Sequence, residues 1–309
     1  MASLVRSLRQ PARRRSVSQR YHLLLLILLL PYLVGALLLI GVPLAATLGL
    51  SLTSYDGLSE PTWRGLANYQ DVLRDPLFLV AAQNSLLFVL ITIPARLLLT
   101  LTLALLLLPR RRGVPLYRAA IYLPTIVPGV ANAMIWLWIF NPFYGPLNLV
   151  LAAIGLPTPA WLANPTTALP ALALMAIFQI GEGFVVLLAG LQEIPRSYHD
   201  AAALDGAGRW ARFRHITLPL VAPWLLLITI RDIIANAQTT FAPALIMTGG
   251  GPYYATLFVP LLLYQTAFDR LRFGMGAAMT ALLIIGVALL IGLAYVCLGG
   301  WGYEDDVEA

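Results

Sequence analysis

Residues 192–219 read QEIPRSYHDAAALDGAGRWARFRHITLP, a polar, Arg-bearing insertion between two long apolar runs. That contrast decides the fold. Of the 309 residues, 60% are hydrophobic and 11% charged, and the mean hydropathy is +0.81. A soluble domain carries about 25% charged residues. Apolar runs of about 20 residues are long enough to cross a bilayer as helices. Backbone in lipid must satisfy its own hydrogen bonds, which favours helices. Continuous runs argue against a β-barrel, whose strands alternate over short segments. The expected fold is an all-α polytopic membrane protein.

Working outward from the insertion, six spans are expected. They are Leu23–Leu50, Leu77–Leu108, Ala119–Phe140, Thr167–Leu191, Leu220–Leu245 and Phe273–Leu298. Pro31 and Pro43 are expected to kink the first, and the early part of the second is a candidate interfacial helix. Asn141–Pro165 is read as a loop because Asn-Pro and Gly-Pro pairs break helices. The ends are an Arg-rich tail, 1–22, and an acidic tail, 299–309. All 20 basic residues are Arg. Fourteen of them lie in the N-terminal tail, the 109–118 loop and the 192–219 loop. By the positive-inside rule these segments, and the C-terminal tail, face the cytoplasm. The expected location is a bacterial or archaeal plasma membrane.

The same composition excludes several chemistries. A phosphate-binding P-loop requires Lys, and the chain has none. Gly249–Gly251 followed by Pro252 is therefore a turn. Any ATP hydrolysis, with its Mg, belongs to another chain, and no cofactor is expected here. The single Cys297 forms no intrachain disulfide, and packing is its default role. His22, His199 and His215 have no His or Cys at ligand spacing, so no metal site is expected. No catalytic set emerges, and nothing points to nucleic acid. The alternative of an ion-coupled secondary transporter is weakened by the lack of a clear internal inverted repeat.

Within the insertion, Ser197 and Asp200 fit an S-x-x-[DE] helix start. Ala201, Ala202 and Ala203 favour helix, and Gly206 supplies a left-handed end after Asp205. A second short helix, Gly208–His215, carries Arg209, Arg212 and Arg214. The expected shape is a helix–turn–helix on the membrane surface. An amphipathic interfacial loop remains an equal reading on physics alone.

Asp200–Ala207 (Asp-Ala-Ala-Ala-Leu-Asp-Gly-Ala), with Phe213, Ile216, Leu218 and Pro219, resembles the EAA loop of the permease subunits of binding-protein-dependent ABC importers. Gly65–Tyr69, Asp75-Pro76, Tyr122–Pro124, Phe140–Gly145, Asn148, Ala189–Gln192 and Thr248–Pro252 resemble further motifs of the sugar-type permeases, in order along nearly the whole chain. The resemblance is to the first permease of the maltose and glycerol-3-phosphate type. It implies a type I ABC importer permease fold and a heterodimer with a second permease. It also implies two cytoplasmic ATPase subunits, an extracytoplasmic sugar-binding protein and a sugar substrate. Asp200, Ala201, Ala202, Asp205, Gly206 and Arg209 are then the residues that couple to an ATPase. The family usually has Glu where this chain has Asp200. An importer of this fold for a non-sugar solute stays open.

Polar groups inside lipid are costly and point to function. In the fifth span Asp232, Asn236 and Thr239 share one helical face, with Thr240 beside them. These positions resemble the sugar-lining positions of the maltose-type permease. Thr125, Gln179 and Phe178 are candidates to complete the pocket, and Trp136 and Phe241 are further aromatic candidates. The competing reading is polar glue between helices. Arg231 is expected to reach Glu182, and Arg96 an acid of the partner permease.

Overall fold

The computed structural model describes residues 14–109 and 111–298. Most of the Arg-rich N-terminal tail, Arg110 and the acidic tail lie outside the described residues. The chain starts with α1 (Arg14–Ala36), a π-helical turn (Leu37–Gly41) and α2 (Val42–Leu50). A two-stranded antiparallel ribbon, β1 (Thr53–Ser54) with β2 (Thr62–Trp63), leads to α3 (Ala67–Arg74) and the long α4 (Pro76–Leu106). Next come α5 (Val114–Ile126), α6 (Gly129–Ile139), α7 (Pro146–Ala153), α8 (Pro165–Phe178) and α9 (Gly181–Glu193). The 192–219 insertion forms α10 (Arg196–Leu204) and α11 (Arg209–Arg212), then a π turn (Phe213–Thr217) into α12 (Leu218–Thr239). The chain closes with α13 (Phe241–Pro243), a π turn (Ala244–Thr248), α14 (Val259–Tyr264), a π turn (Gln265–Asp269) and α15 (Phe273–Leu298).

Among the described residues, four continuous helical runs are long and apolar enough to cross a membrane: Leu24–Leu50, Pro76–Leu106, Arg209–Thr248 and Phe273–Leu298. Two bent pairs raise the number to six if each is one span. Here the expectation of simple third and fourth spans is corrected. The third is α5 and α6, bent by 103° at Val127-Pro128. Val127 precedes a proline and is extended, with ψ 125, as the clash with the proline ring requires. The fourth is α8 and α9, bent by 46° at Gln179–Ile180.

Other boundaries move for local reasons. The 141–165 loop contains α7, with Pro146 in its first turn, where a missing N–H costs nothing. The irregular stretch before Arg272 contains α14. Pro31 lies within α1, while Pro43 and Pro219 each directly follow the first residue after a π turn. A proline ring clashes with the carbonyl four residues back, and the wider π turn shifts that carbonyl. The second insertion helix is therefore continuous with the fifth span rather than separate from it.

Two apolar cores form. One gathers Phe78, Phe88, Trp136, Phe140, Leu172, Phe258 and Met279; the other gathers Ala104, Phe184, Leu187, Leu191, Val221 and Ile228. Close approach helps the second: a Cβ on Gly190 would lie 2.5 Å from the Trp224 ring. Along α4, Phe88 and Ala104 belong to different cores, roughly 24 Å apart at helical rise. Arg96 lies midway. The first span carries no buried residue in its most apolar window, and α2 rests on α15. Cys297, expected to pack, is exposed on α15.

Candidate functional site

The layer between the two cores is polar, and three elements build it. On α4 it holds Thr92, Arg96 and Thr100; on α12 it holds Asp232 and Asn236. The α8–α9 break places Gln179 and Glu182 at the same level. A charge chain runs through it. Arg96 Nε lies 3.4 Å from Asp232 Oδ2, and its Nη2 donates to the Gln179 carbonyl at 2.7 Å. Arg231 donates to Asp232 Oδ1 at 3.0 Å and pairs with Glu182.

One expectation is corrected here and one is extended. Arg96 meets an acid of its own chain, Asp232, where an acid of a partner permease was expected. Arg231 reaches Glu182 as expected and also pairs with its helix neighbour Asp232. The bend between α8 and α9 explains the Arg96 contact: it interrupts the helical ladder, and the guanidinium takes the Gln179 carbonyl. Asp232 is 2% exposed. An unpaired carboxylate there would be costly, so two cations hold it.

A cavity of about 430 Å³ adjoins this layer, walled by α4, the α5–α6 elbow, the α8–α9 break and α12. Of the candidate residues, Thr125, Gln179, Thr239 and Thr240 line it. Asp232 and Phe178 do not. Asn236 lines a separate, almost wholly apolar groove of about 370 Å³, and Thr240 borders both. Within α12 the polar side chains return to their own helix. Asn236 Nδ2 donates to the Asp232 carbonyl at 2.9 Å, and the Thr239 and Thr240 hydroxyls donate one turn back at 2.9 and 2.8 Å.

The cavity also holds Asn132 and Gln238, which the sequence reading passed over, and Arg96, Glu182 and Arg231, which it read only as members of charge pairs. Its aromatic faces are Phe88 and Phe258, 5.0 Å apart between centroids, rather than Trp136, Phe178 or Phe241. Trp136 and Phe178 pack edge-on against each other at 5.6 Å. Asn132 was findable: it is a lone amide in an apolar run, seven residues after Thr125. Phe88 and Phe258 carry no such signal, since aromatic residues are common in any apolar core.

The second candidate surface is the 192–219 insertion. Its first helix starts at Arg196 with Pro195 at the N-cap, and no side chain caps it. Pro195, at φ −62 and ψ 133, already directs the chain into the helix, so Ser197 falls inside α10 rather than at its cap. The helix ends as expected, with Gly206 at φ +79. Among its residues none is buried, and Leu204 is 90% exposed. Asp200, Ala201, Asp205 and Arg209 are exposed, and Ala202 is partly so. One long contact of 3.5 Å, from Arg212 to the His199 carbonyl, ties α10 to α11.

Residues 96–298 match the family described as "binding-protein-dependent transport system inner membrane component". The chain is 35% identical over 283 residues to the probable ABC transporter permease protein YesP of Bacillus subtilis, covering 90% of this chain and 91% of that one. It is 34% identical over 282 residues to the sulfoquinovosyl glycerol transport system permease protein SmoG of Agrobacterium fabrum, covering 89% and 90%. The fold resembles a chain in the crystal structure of a bacterial ABC transporter that imports the acidic polysaccharide alginate. The TM-score is 0.75 at 20% identity, over 92% of this chain and 98% of that one.

Proposed function

Because the chain belongs to the family of binding-protein-dependent transport system inner membrane components, permease rather than catalytic subunits, we propose that it forms half of the translocation pathway of an ATP-driven sugar importer. The observation that carries this is the polar cavity between two apolar cores. Its amides, hydroxyls and paired charges suit a solute rich in hydroxyl groups, and Phe88 and Phe258 offer aromatic faces. SmoG, a relative at 34% identity, is named for sulfoquinovosyl glycerol, a sugar derivative.

In this reading a second permease completes the pathway, and an extracytoplasmic binding protein hands over the sugar. Two ATPase subunits bind ATP and Mg, and one of them docks on α10. The Arg-rich segments put that helix, and both termini, on the cytoplasmic side. Asp200, Ala201, Ala202, Asp205, Gly206 and Arg209 form the docking surface, and closure of the ATPases drives alternating access through it. Thr125, Gln179, Thr239 and Thr240 contact the solute in the cavity. Asp232 acts through Arg96 and Arg231, and Asn236 braces α12.

The test is reconstitution in liposomes with the products of neighbouring genes. The expected result is ATPase activity stimulated by the binding protein, together with sugar uptake that requires ATP. Uptake by this chain alone, driven by an ion gradient, would sink the proposal.

A further inference from the structure

The four charges of the polar layer are not equally buried. The Arg96 and Asp232 side chains are 12% and 3% exposed, and those of Arg231 and Glu182 are 38% and 47% exposed. The inner pair belongs to the wall, because Arg96 holds the carbonyl at the α8–α9 break as well as Asp232. The outer pair faces the solute space, since Arg231 and Glu182 both line the cavity. Among the described residues, Arg96, Arg231 and Glu182 are the ionisable lining, and Asp232 stands behind it. Two cations then meet two carboxylates, and the set is neutral only while Glu182 is charged.

The fold fixes the place of Glu182. It lies in the first turn of α9, where the N-terminal end of a helix favours a negative charge. Glycines flank it. A Cβ on Gly181 would lie 2.9 Å from Tyr122 Cα of α5, and one on Gly183 would lie 3.2 Å from Ile228 Cγ2 of α12. The turn therefore packs against α5 on one side and α12 on the other, and the carboxylate between them enters the cavity. Charged groups inside a membrane are costly and mark function. Bracing α9 to α12 does not demand them, because well-packed apolar side chains often replace an ion pair without loss of stability. Arg231 is needed on its other side, where it donates to Asp232. What an apolar residue at 182 cannot do is cancel Arg231, whose planar fork otherwise offers a carboxylate, sulfonate or phosphate two parallel hydrogen bonds.

We propose that Glu182 is the charge filter of the cavity: it occupies the Arg231 guanidinium that an anionic sugar would take, so the cavity accepts neutral sugars and refuses uronates, sugar phosphates and sulfonates. This rests on the reading of the cavity as a sugar path, and it names the substrate class of that path. Glu182 acts through Arg231, as a positioning residue, rather than by touching the sugar. An anionic sugar that displaced Glu182 from Arg231 would leave a carboxylate unpaired beside its own negative charge. Building such an unpaired charge against the wrong ligand is a direct route to specificity.

The test measures equilibrium binding of labelled sugars to the full importer assembly, purified through this chain and reconstituted in nanodiscs. The binding protein is left out, because its own selectivity would mask that of the cavity. Sugars are used in matched pairs, glucose with glucuronate and maltose with maltobionate, so that an added carboxylate is the main difference within a pair. Wild type should favour the neutral member. In Glu182→Gln the ratio of anionic to neutral affinity should rise about tenfold, as one freed charge-assisted hydrogen bond dictates, and added salt should weaken the rise. Adding Arg231→Gln should abolish the rise, and Glu182→Asp should keep the wild-type ratio. An unchanged ratio in Glu182→Gln, with or without a lowered thermal midpoint, assigns the pair to bracing and overturns the proposal. A rise that survives Arg231→Gln overturns it as well. A wild-type assembly that favours the anionic member overturns it without any variant. A wild type that binds neither member of either pair overturns the sugar-path reading and the filter with it. The filter alone fails where wild type binds a neutral sugar and the ratio in Glu182→Gln does not move.

Discussion

The loop around Asn68 and the loop around Asp200 are both polar insertions between apolar helices, yet they are built in opposite ways. Asn68 is 2% exposed and makes three hydrogen bonds. Its Nδ2 donates to the carbonyls of Ser51 and Thr53 at 2.8 and 2.7 Å, and its Oδ1 accepts from Arg64 at 3.1 Å. The loop is also sewn to α15: the Gly274 N–H donates to the Tyr55 carbonyl at 3.2 Å. A Cβ on Gly274 would lie 2.1 Å from the Thr53 carbonyl oxygen, so only glycine fits. Nothing comparable holds α10, which has no buried residue. The first loop is finished by its own chain. The second leaves Leu204, Asp200 and Asp205 exposed.

The largest effect expected from that difference is at Asp200. Asp200→Arg reverses a charge on an exposed helix that meets an Arg-bearing neighbour, α11. ATPase subunits should no longer co-purify with the chain, while its thermal midpoint in detergent stays within about a degree of wild type, as for surface changes that break no contact. Normal ATPase recovery would remove α10 as the docking element.

Asn68→Ala should do the reverse. It leaves the Ser51 and Thr53 carbonyls without their donor, which costs about 2–3 kcal/mol. The thermal midpoint should fall by several degrees, and the surviving folded protein should still recover ATPase subunits. If Asn68→Ala proved no less stable than Asp200→Arg, the two loops would not differ as argued.

Much of this was legible in the sequence, for reasons that differ by residue. Long apolar runs announce spans through composition alone, and Gly206 after Asp205 announces a helix end because few other residues tolerate positive φ. The Arg231–Glu182 pair followed from two opposite charges stranded in apolar surroundings. The Arg96–Asp232 pair did not, because it joins α4 to α12, and nothing in a linear chain says which helices touch. The elbow at Val127-Pro128 was written in Pro124 and Pro128, although an uncharged run of that length also reads as a straight span. The break at Gln179–Ile180 has no proline at all. Arg96, from a distant helix, takes the carbonyl that the break frees, and that contact is a tertiary event. The same holds for the cavity, whose wall combines residues from α4 to the segment before α14.

The smallest expected effect tests how far the self-contained loop extends. Asp56 sits at its tip and folds it by local hydrogen bonds. Its Oδ1 accepts from the Ser59 and Leu58 N–H groups at 2.8 and 3.0 Å and from the Ser59 hydroxyl at 2.8 Å. Those donors favour the charged form, the Ser59 backbone N–H most, and lower the pKa from 3.8 to about 2. A carboxylate whose pKa is lower in the folded state contributes stability that is fully present above its unfolded value. That contribution therefore stands above pH 3.8 and is lost as the pH falls towards about 2. Asp56→Ala should show a small, constant deficit in thermal midpoint near neutral pH, and the deficit should shrink once the pH drops below the unfolded value. A deficit that grows on acidification would mean that Asp56 is held by something other than its charge. The solvent-exposed tip would then belong to a larger surface than the hydrogen bonds of Asn68 define.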